Sequence, residues 1–254
     1  MAKKTLLEIV QDILSDMTDD EVNSISDTVE SMQVAVIVKS TYEAMISNKN
    51  WPHLRKVIQL DATTDSELPN YLTLPEGIKE CLRVEYNKRT ESDLTRDRWE
   101  EVKWVEPDEF LIMTAAYNTK NTNVQRITDY GGADILIKND QHPSFYTSFD
   151  DTNLVFNSYN INVEDTLQNS KNRAIVYKEP EELLLIDTAI PNLPSEAFPA
   201  LIAEAKSTCF LRIKQSTDAK AEQESQRQRA WLSRKAFKVG GGIKLPNRGR
   251  RRKK

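Results

Sequence analysis

The chain has 254 residues, 39% of them hydrophobic and 29% charged, with only seven Gly and ten Pro. That size and balance exclude a generally disordered chain and fit one large or two small globular domains with a polar surface. The formal net charge of -4 hides a split: the last acidic residue is Glu224, and the thirty residues after it carry twelve Lys and Arg. The preceding 224 residues hold 39 acidic groups against 23 basic ones, a balance of -16. A basic end on an acidic body suits a protein that joins other things, since the end attracts an acidic partner and the body repels a polyanion.

In chain order, residues 5–17 predict an amphipathic helix, with Leu6, Leu7, Val10, Ile13, Leu14 and Met17 at helical spacing. Met1-Ala2-Lys3-Lys4-Thr5 is followed by no long apolar run, which predicts no secretory signal, and no window reaches the length of a membrane span. A second helix has two possible starts, Thr18 with Glu21 or Asp27 with Glu30. Asp27 is preferred as N-cap, with the helix running to about Ser47, before Trp51-Pro52. This helix carries two apolar stripes: Val29, Met32 and Val36 on one, Ala35, Val38, Tyr42 and Met45 on the other. Two apolar faces predict neighbours on two sides, in the same chain or in an adjacent subunit.

From Leu54 to about Asp187 the pattern becomes short alternating or apolar runs: 57–60, 81–86, 101–105, 133–138, 145–149, 154–157 and 174–177. Gly131-Gly132 and Asn139-Asp140 predict turns, and the whole predicts an antiparallel β region. One short helix sits inside it, opening at Pro107 with Asp108 and Glu109 and ending near Tyr117. Helical spacing returns after Ile190-Pro191-Asn192-Leu193-Pro194, with Ser195 as the expected N-cap. Phe198, Leu201, Ile202, Ala205, Cys209 and Ile213 form its apolar stripe. Residues 214–229 continue that helix as an almost wholly polar stretch, expected to project into solvent or lie along a partner. Trp231, Leu232 and Phe237 restore apolar bulk before Gly240-Gly241-Gly242, which end the helix and free the basic tip.

The expected fold class is therefore α+β: a helical bundle formed by the N- and C-terminal helices, with an inserted antiparallel β region and an extended basic C-terminal arm. The expected domains are 1–53 with 191–239 for the bundle, 54–190 for the insertion and 240–254 for the arm.

Chemistry is hard to find. The two His, His53 and His142, have no Cys or second His at metal-ligand spacing. There is no Gly-x-Ser-x-Gly elbow and no phosphate loop. Cys81 and Cys209 lie in apolar segments and read as buried free thiols. Asp150-Asp151 reads as a solvated turn, and Glu179, Glu181 and Glu182 as a solvated strand edge. No catalytic residue, metal or cofactor is assigned, and the chain is read as a non-enzyme. The basic tip could contact nucleic-acid phosphates, bind an acidic groove on a protein, or serve solubility alone. Trp231, Phe237, Ile243 and Leu245, interleaved with Arg248, Arg250, Arg251, Arg252, Lys253 and Lys254, favour a docking segment.

Two stretches together resemble one family. The first is Leu6-Leu7-Glu8-Ile9-Val10-Gln11-Asp12-Ile13-Leu14-Ser15, followed by Asp20-Glu21-Val22-Asn23-Ser24-Ile25, the run from Asp27 to Ala35, and Trp51. The second is Ile190-Pro191-Asn192-Leu193-Pro194 with the helix and polar extension after it; Leu72-Thr73-Leu74-Pro75 adds a looser match. They are similar to the head-to-tail adaptors of short-tailed double-stranded DNA phages, also called tail tubular protein A. The larger β segment and long Arg/Lys tip depart from the smaller adaptors. The resemblance implies a ring of identical subunits, commonly twelvefold, between the portal protein and the tail nozzle protein. It implies a place in the virion neck after synthesis in the host cytoplasm. Such a ring retains packaged DNA and passes it on ejection without sequence specificity. It further implies a C-terminal segment docking on the portal and a heterologous subunit interface, one face of which Val29, Met32, Ala35, Val36, Val38, Tyr42 and Met45 can supply. The alternative is a cytoplasmic nucleic-acid-binding regulator acting through the tip; the acidic body and the absence of a helix-turn-helix pattern speak against it.

Overall fold

The structure, a computed structural model, describes residues 3–17, 21–62, 67–89, 97–162, 167 and 171–238. The chain divides into two compact units, Met1–Leu54 with Pro180–Lys254, and Arg55–Glu179.

The first unit is helical. α1 (Leu6–Met17) opens on a reciprocal cap, with Thr5 N–H donating to Glu8 Oε2 at 2.7 Å and Glu8 N–H to Thr5 Oγ1 at 3.3 Å. Its Leu6, Ile9, Val10, Ile13 and Leu14 are all buried. α2 spans Val29–Ser47 and α4 spans Phe198–Arg212, following a single 3₁₀ turn at Ser195–Ala197. α4 has Ala197 rather than Ser195 as its N-cap, with no side-chain cap, because Ser195 is already inside the 3₁₀ turn.

The expected continuous polar helix does not exist. α4 stops at Arg212, the chain turns through Gln215 (φ 52°), and α5 (Ala219–Lys238) folds back against α4. Asp218 starts it by accepting N–H bonds from Lys220 at 2.8 Å and Ala221 at 3.3 Å. A helix with so few apolar residues packs because its inner line is small: Ala221 and Ser225, one turn apart, are both buried.

The second unit is a mixed sheet of eight strands. β1 is Arg55–Ile58, β2 Asp61–Ala62, β3 Tyr71–Thr73, β4 Ile78–Asn87 and β5 Trp99–Trp104. After α3 (Pro107–Ala115) come β6 (Val124–Thr128), β7 (Asp134–Lys138), β8 (Phe145–Thr147), β9 (Asn153–Phe156) and β10 (Asn172–Lys178). The order across the sheet is β1-β10-β4-β5-β8-β9-β3-β2, while β6 and β7 form a separate hairpin turning at Gly132 (φ +80°). All pairs in the large sheet are antiparallel except β5 with β8, which is parallel at Lys103↔Phe145 and Trp104↔Tyr146.

This overturns the expected architecture. The chain is α+β, but it is not a helical bundle carrying an inserted antiparallel region. The sheet is mixed and encloses a core of its own, and one of the five α-helices among the described residues belongs to the sheet's unit. A parallel pair needs a long crossover. Here residues 105–144 supply it, containing α3 and the β6–β7 hairpin. Runs of strand-like residues encode strand positions but not which strands meet. The readings of 57–60, 81–86, 101–105 and 133–138 fall on β1, β4, β5 and β7; those of 145–149, 154–157 and 174–177 fall on β8, β9 and β10. β2, β3 and β6 carried no reading of their own.

The sheet also curls. β1 and β2 lie at opposite edges, yet Ile58 and Asp61 are three residues apart, so those edges approach within roughly 11 Å. Leu60, inside this link, is fully buried in a core with Tyr71, Leu72, Tyr86, Val102 and Phe156. α3 adds Phe110 to this core, edge-on against Phe145 and Phe149, at ring-centroid distances of 5.5 and 6.0 Å.

Leu60→Ala should lower unfolding stability by about 2–5 kcal/mol in denaturant titrations, whereas Val57→Ala at a site 66% exposed should change it by about 0.5 kcal/mol or less. His142 supplies a pH test. Burial, then the nearby Lys88 and Lys171 charges, hold its imidazole below the ordinary value, and the ring lies 5.6 Å from Tyr86. The fold keeps it neutral while the unfolded chain protonates near about 6.5, so this contribution is present above that pH and is lost as pH falls. Stability measured from pH 7.5 to 5 should fall less steeply in His142→Gln than in the parent.

Candidate functional site

The site is a surface of the helical unit, built on α2. Its N-cap is Thr28, with φ -134° and ψ 160°, in a capping box with Ser31: Ser31 N–H donates to Thr28 Oγ1 at 3.0 Å and Thr28 N–H to Ser31 Oγ at 3.1 Å. Asp27 is not the cap, because its carboxylate already accepts the Asn23 and Ser24 N–H groups, each at 2.8 Å.

The cap sets the helix phase. Ser31, Val34, Ala35, Ile37, Val38, Thr41, Tyr42 and Ile46 turn inward. Val29, Met32 and Val36 turn outward, with exposures of 77%, 37% and 45%. At about 100° per residue these three span an arc of roughly 60°. The expected interface set therefore splits. Ala35, Val38 and Tyr42 are sealed in their own unit's core and line no surface, because the neighbour they were read to need is supplied within the chain. Met45 is half-buried beside a groove between α2, α4 and α5. Only Val29, Met32 and Val36 form an outward stripe.

A strap enlarges that stripe. Tyr42 O–H donates to Glu181 O at 2.8 Å, and Lys39 Nζ lies 2.6 Å from Glu182 Oε1. Further along, Asp187 Oδ1 accepts Ile25 N–H at 2.9 Å and Ser24 O–H at 3.2 Å, and Leu7 N–H donates to Asp187 O at 3.2 Å. The strap thus runs antiparallel to α2 and is fixed at both ends. Leu183 turns inward, while Leu184, Leu185 and Ile186, between the strap's two anchor points on α2, remain exposed. Sequence reasoning missed this strap. The Leu-Leu-Leu-Ile run bounded by Glu182 and Asp187 was its only signal.

On the other side of α2 the groove holds about 690 Å³ and includes Ala44, Met45, Trp51, Thr208 and Leu232 in its lining. Lys49 Nζ sits 5.3 Å from the Trp51 ring centroid, and burial holds its pKa below the ordinary value. Glu204 pins α5 against α4 by accepting from Ser225 Oγ and pairing with Arg229. Trp231 lies on α5 and is 59% exposed. Of the other expected docking residues, Phe237 belongs to α5 but its side chain lies outside the described residues. Ile243, Leu245, Arg248, Arg250, Arg251, Arg252, Lys253 and Lys254 lie outside them entirely.

Among the described residues no group of three or more His, Cys, Asp or Glu is placed to hold a metal ion. His53 Nε2 lies 2.9 Å from Asn192 O within its own unit. Cys81 and Cys209 are free thiols; burial raises both pKa values, that of Cys209 to about 12, so neither is a ready thiolate. Asp150 accepts the Thr152 and Asn153 N–H groups, at 3.0 and 2.8 Å, and so acts as a turn former. No helix among the described residues is long and apolar enough to cross a membrane. The sequence matches no protein-family model and no curated protein.

Glu204→Ala should loosen α5. The expected loss is about 1–3 kcal/mol in the helical unit, because the buried Ser225 hydroxyl loses its partner. Hydrogen exchange at residues 221–233 should rise while α1 stays protected.

Proposed function

We propose that this chain is a structural subunit, a head-to-tail adaptor that forms a ring between portal and tail nozzle in a short-tailed phage. The observation that supports the reading best is the outward stripe of α2 with its strap: six exposed apolar side chains, three on the helix and three on the strap that runs along it, on backbone fixed by a capping box and by bonds at both strap ends. An apolar surface held rigid by polar contacts suits assembly, because it associates without first paying to become ordered. It would serve as one face of a heterologous contact between copies, which closes into a ring when successive rotations add to a full turn.

The charge distribution agrees. An acidic body keeps passing DNA from sticking, and a basic C-terminal end seeks acidic patches on the portal. In this reading the partners are the portal, the nozzle and further copies of the chain, with DNA as a transient passenger.

The test is reconstitution with a portal ring from the same virion, followed by native mass measurement. The parent chain should add as a closed ring, at a copy number set by the portal. Met32→Asp with Val36→Asp, at surface positions that leave the fold intact, should abolish ring closure. Deleting residues 240–254 should weaken portal binding at least tenfold and leave the melting temperature unchanged. A parent chain that ignores the portal sinks the adaptor reading, and a double variant that still closes rings moves the interface elsewhere.

A further inference from the structure

The curled sheet has an open mouth. β3 ends there at Thr73, β5 at Trp104 and β8 at Thr147, while β4 begins there at Ile78 and β9 at Asn153. β4 pairs with β5 only from Val84↔Val102 to Asn87↔Trp99, so residues 78–82 diverge from β5 and the sheet opens. The opening is a depression of about 650 Å³. That is within the range of about 300–1,000 Å³ for small-molecule sites, which favour the mouths of β-barrels.

Strand alternation decides what faces it. Phe145 of β8 and Phe149 just beyond it are taken by Phe110 of α3. Tyr146, on the opposite face of β8 from Phe145, and Ser148, just past the strand's end, line the mouth. Tyr146 is buried and lines the floor with Cys81; burial pushes both groups' pKa values up, so the floor is uncharged at neutral pH. Trp104 stands against Tyr146 edge-on at 5.3 Å, which fixes the indole, yet the residue is 48% exposed. Ser148 is only 9% exposed, and its Oγ has no hydrogen-bond partner among the described residues. The rim carries Lys79, Glu80 and Asp151.

A ligand that suits this mouth needs a flat apolar face for Trp104 and a hydroxyl for Ser148. It needs a further hydroxyl for the Asp151 carboxylate on the rim, and no negative charge of its own. We propose that the mouth of the sheet unit is a binding site for a neutral saccharide, with a pyranose ring on Trp104 and a sugar hydroxyl bonded to Ser148 Oγ. An apolar peptide side chain would cover Trp104 but leave Ser148 unpaired, and a phosphate would meet two carboxylates against one lysine. This inference rests on the sheet unit alone and does not require the adaptor reading.

The experiment is saturation-transfer NMR with tryptophan fluorescence on the full chain. The probes are maltotriose, a β-linked galactotriose and chitotriose, each titrated to tens of millimolar, with a seven-residue extended apolar peptide as comparison. At least one trisaccharide should bind saturably, with a Kd on the order of 1 mM. Trp104→Ala should abolish binding. Ser148→Ala should weaken it about tenfold while leaving the melting temperature equal or higher, since it removes an unsatisfied hydroxyl. The proposal is overturned if no trisaccharide saturates, if both variants bind as the parent does, or if the peptide binds and the sugars do not.

Discussion

The two residues Gln59 and Leu60 impose the strictest constraint in the molecule. They connect strands at opposite edges of an eight-stranded sheet, so the sheet must bend until those edges nearly meet. Leu60, fully buried, fills the interior that the bend creates. Bending also forces strands apart somewhere. β4 and β5 part at Val84↔Val102, and β5 completes its pairing with β8 in parallel. The short link, the parallel pair with its long crossover, and the open mouth thus belong to one curled sheet. The sheet stays open, with β1 and β2 as its edges, and both edge strands are short, which limits the template they offer to another chain.

The helical unit solves a different problem. α2 has apolar residues on too much of its circumference for one partner helix. α1 and α4 pack against it, and the strap of residues 181–187 lies along a further side. What remains uncovered is the arc of Val29, Met32 and Val36. The polar α5 adheres to α4 by a contrasting device. It buries small side chains and one hydroxyl, and leaves the specificity of the contact to Glu204. Apolar burial therefore builds the centre of this unit, and polar contacts attach its outer pieces.

How much of this was legible follows from what each signal encodes. α1 and α3 were readable because spacing, caps and an N-terminal proline are local. The start of α2 was placed one residue early, at Asp27, because any Asp or Thr can cap, and only the preceding turn reveals which side chain is already engaged. The break after Arg212 was missed because residues 213–218 have no Gly or Pro, and Gln215 adopts a left-handed backbone that its sequence does not announce. Both stripes of α2 were seen, but their destinations were not. A periodic pattern shows that a face is apolar, not whether the covering partner lies in the same chain, so Ala35, Val38 and Tyr42 went to the wrong side of that division. The mouth of the sheet was invisible, because Trp104, Tyr146 and Ser148 meet only through the parallel pairing.

A magnitude bears on how the outward stripe can work. Its six apolar side chains are roughly half exposed, so covering them gains on the order of 1 kcal/mol each, roughly 6 kcal/mol in all. Association of two bodies costs about 4–15 kcal/mol in lost freedom. One such contact is near balance, and a pair of copies held by it alone would be fleeting. In a closed ring the last subunit makes two contacts for one loss of freedom, and a subunit already held by a third body loses less again. A stripe of this size is therefore suited to a protein that stays apart in solution and assembles on a template. A much larger patch would drive association before any template was met.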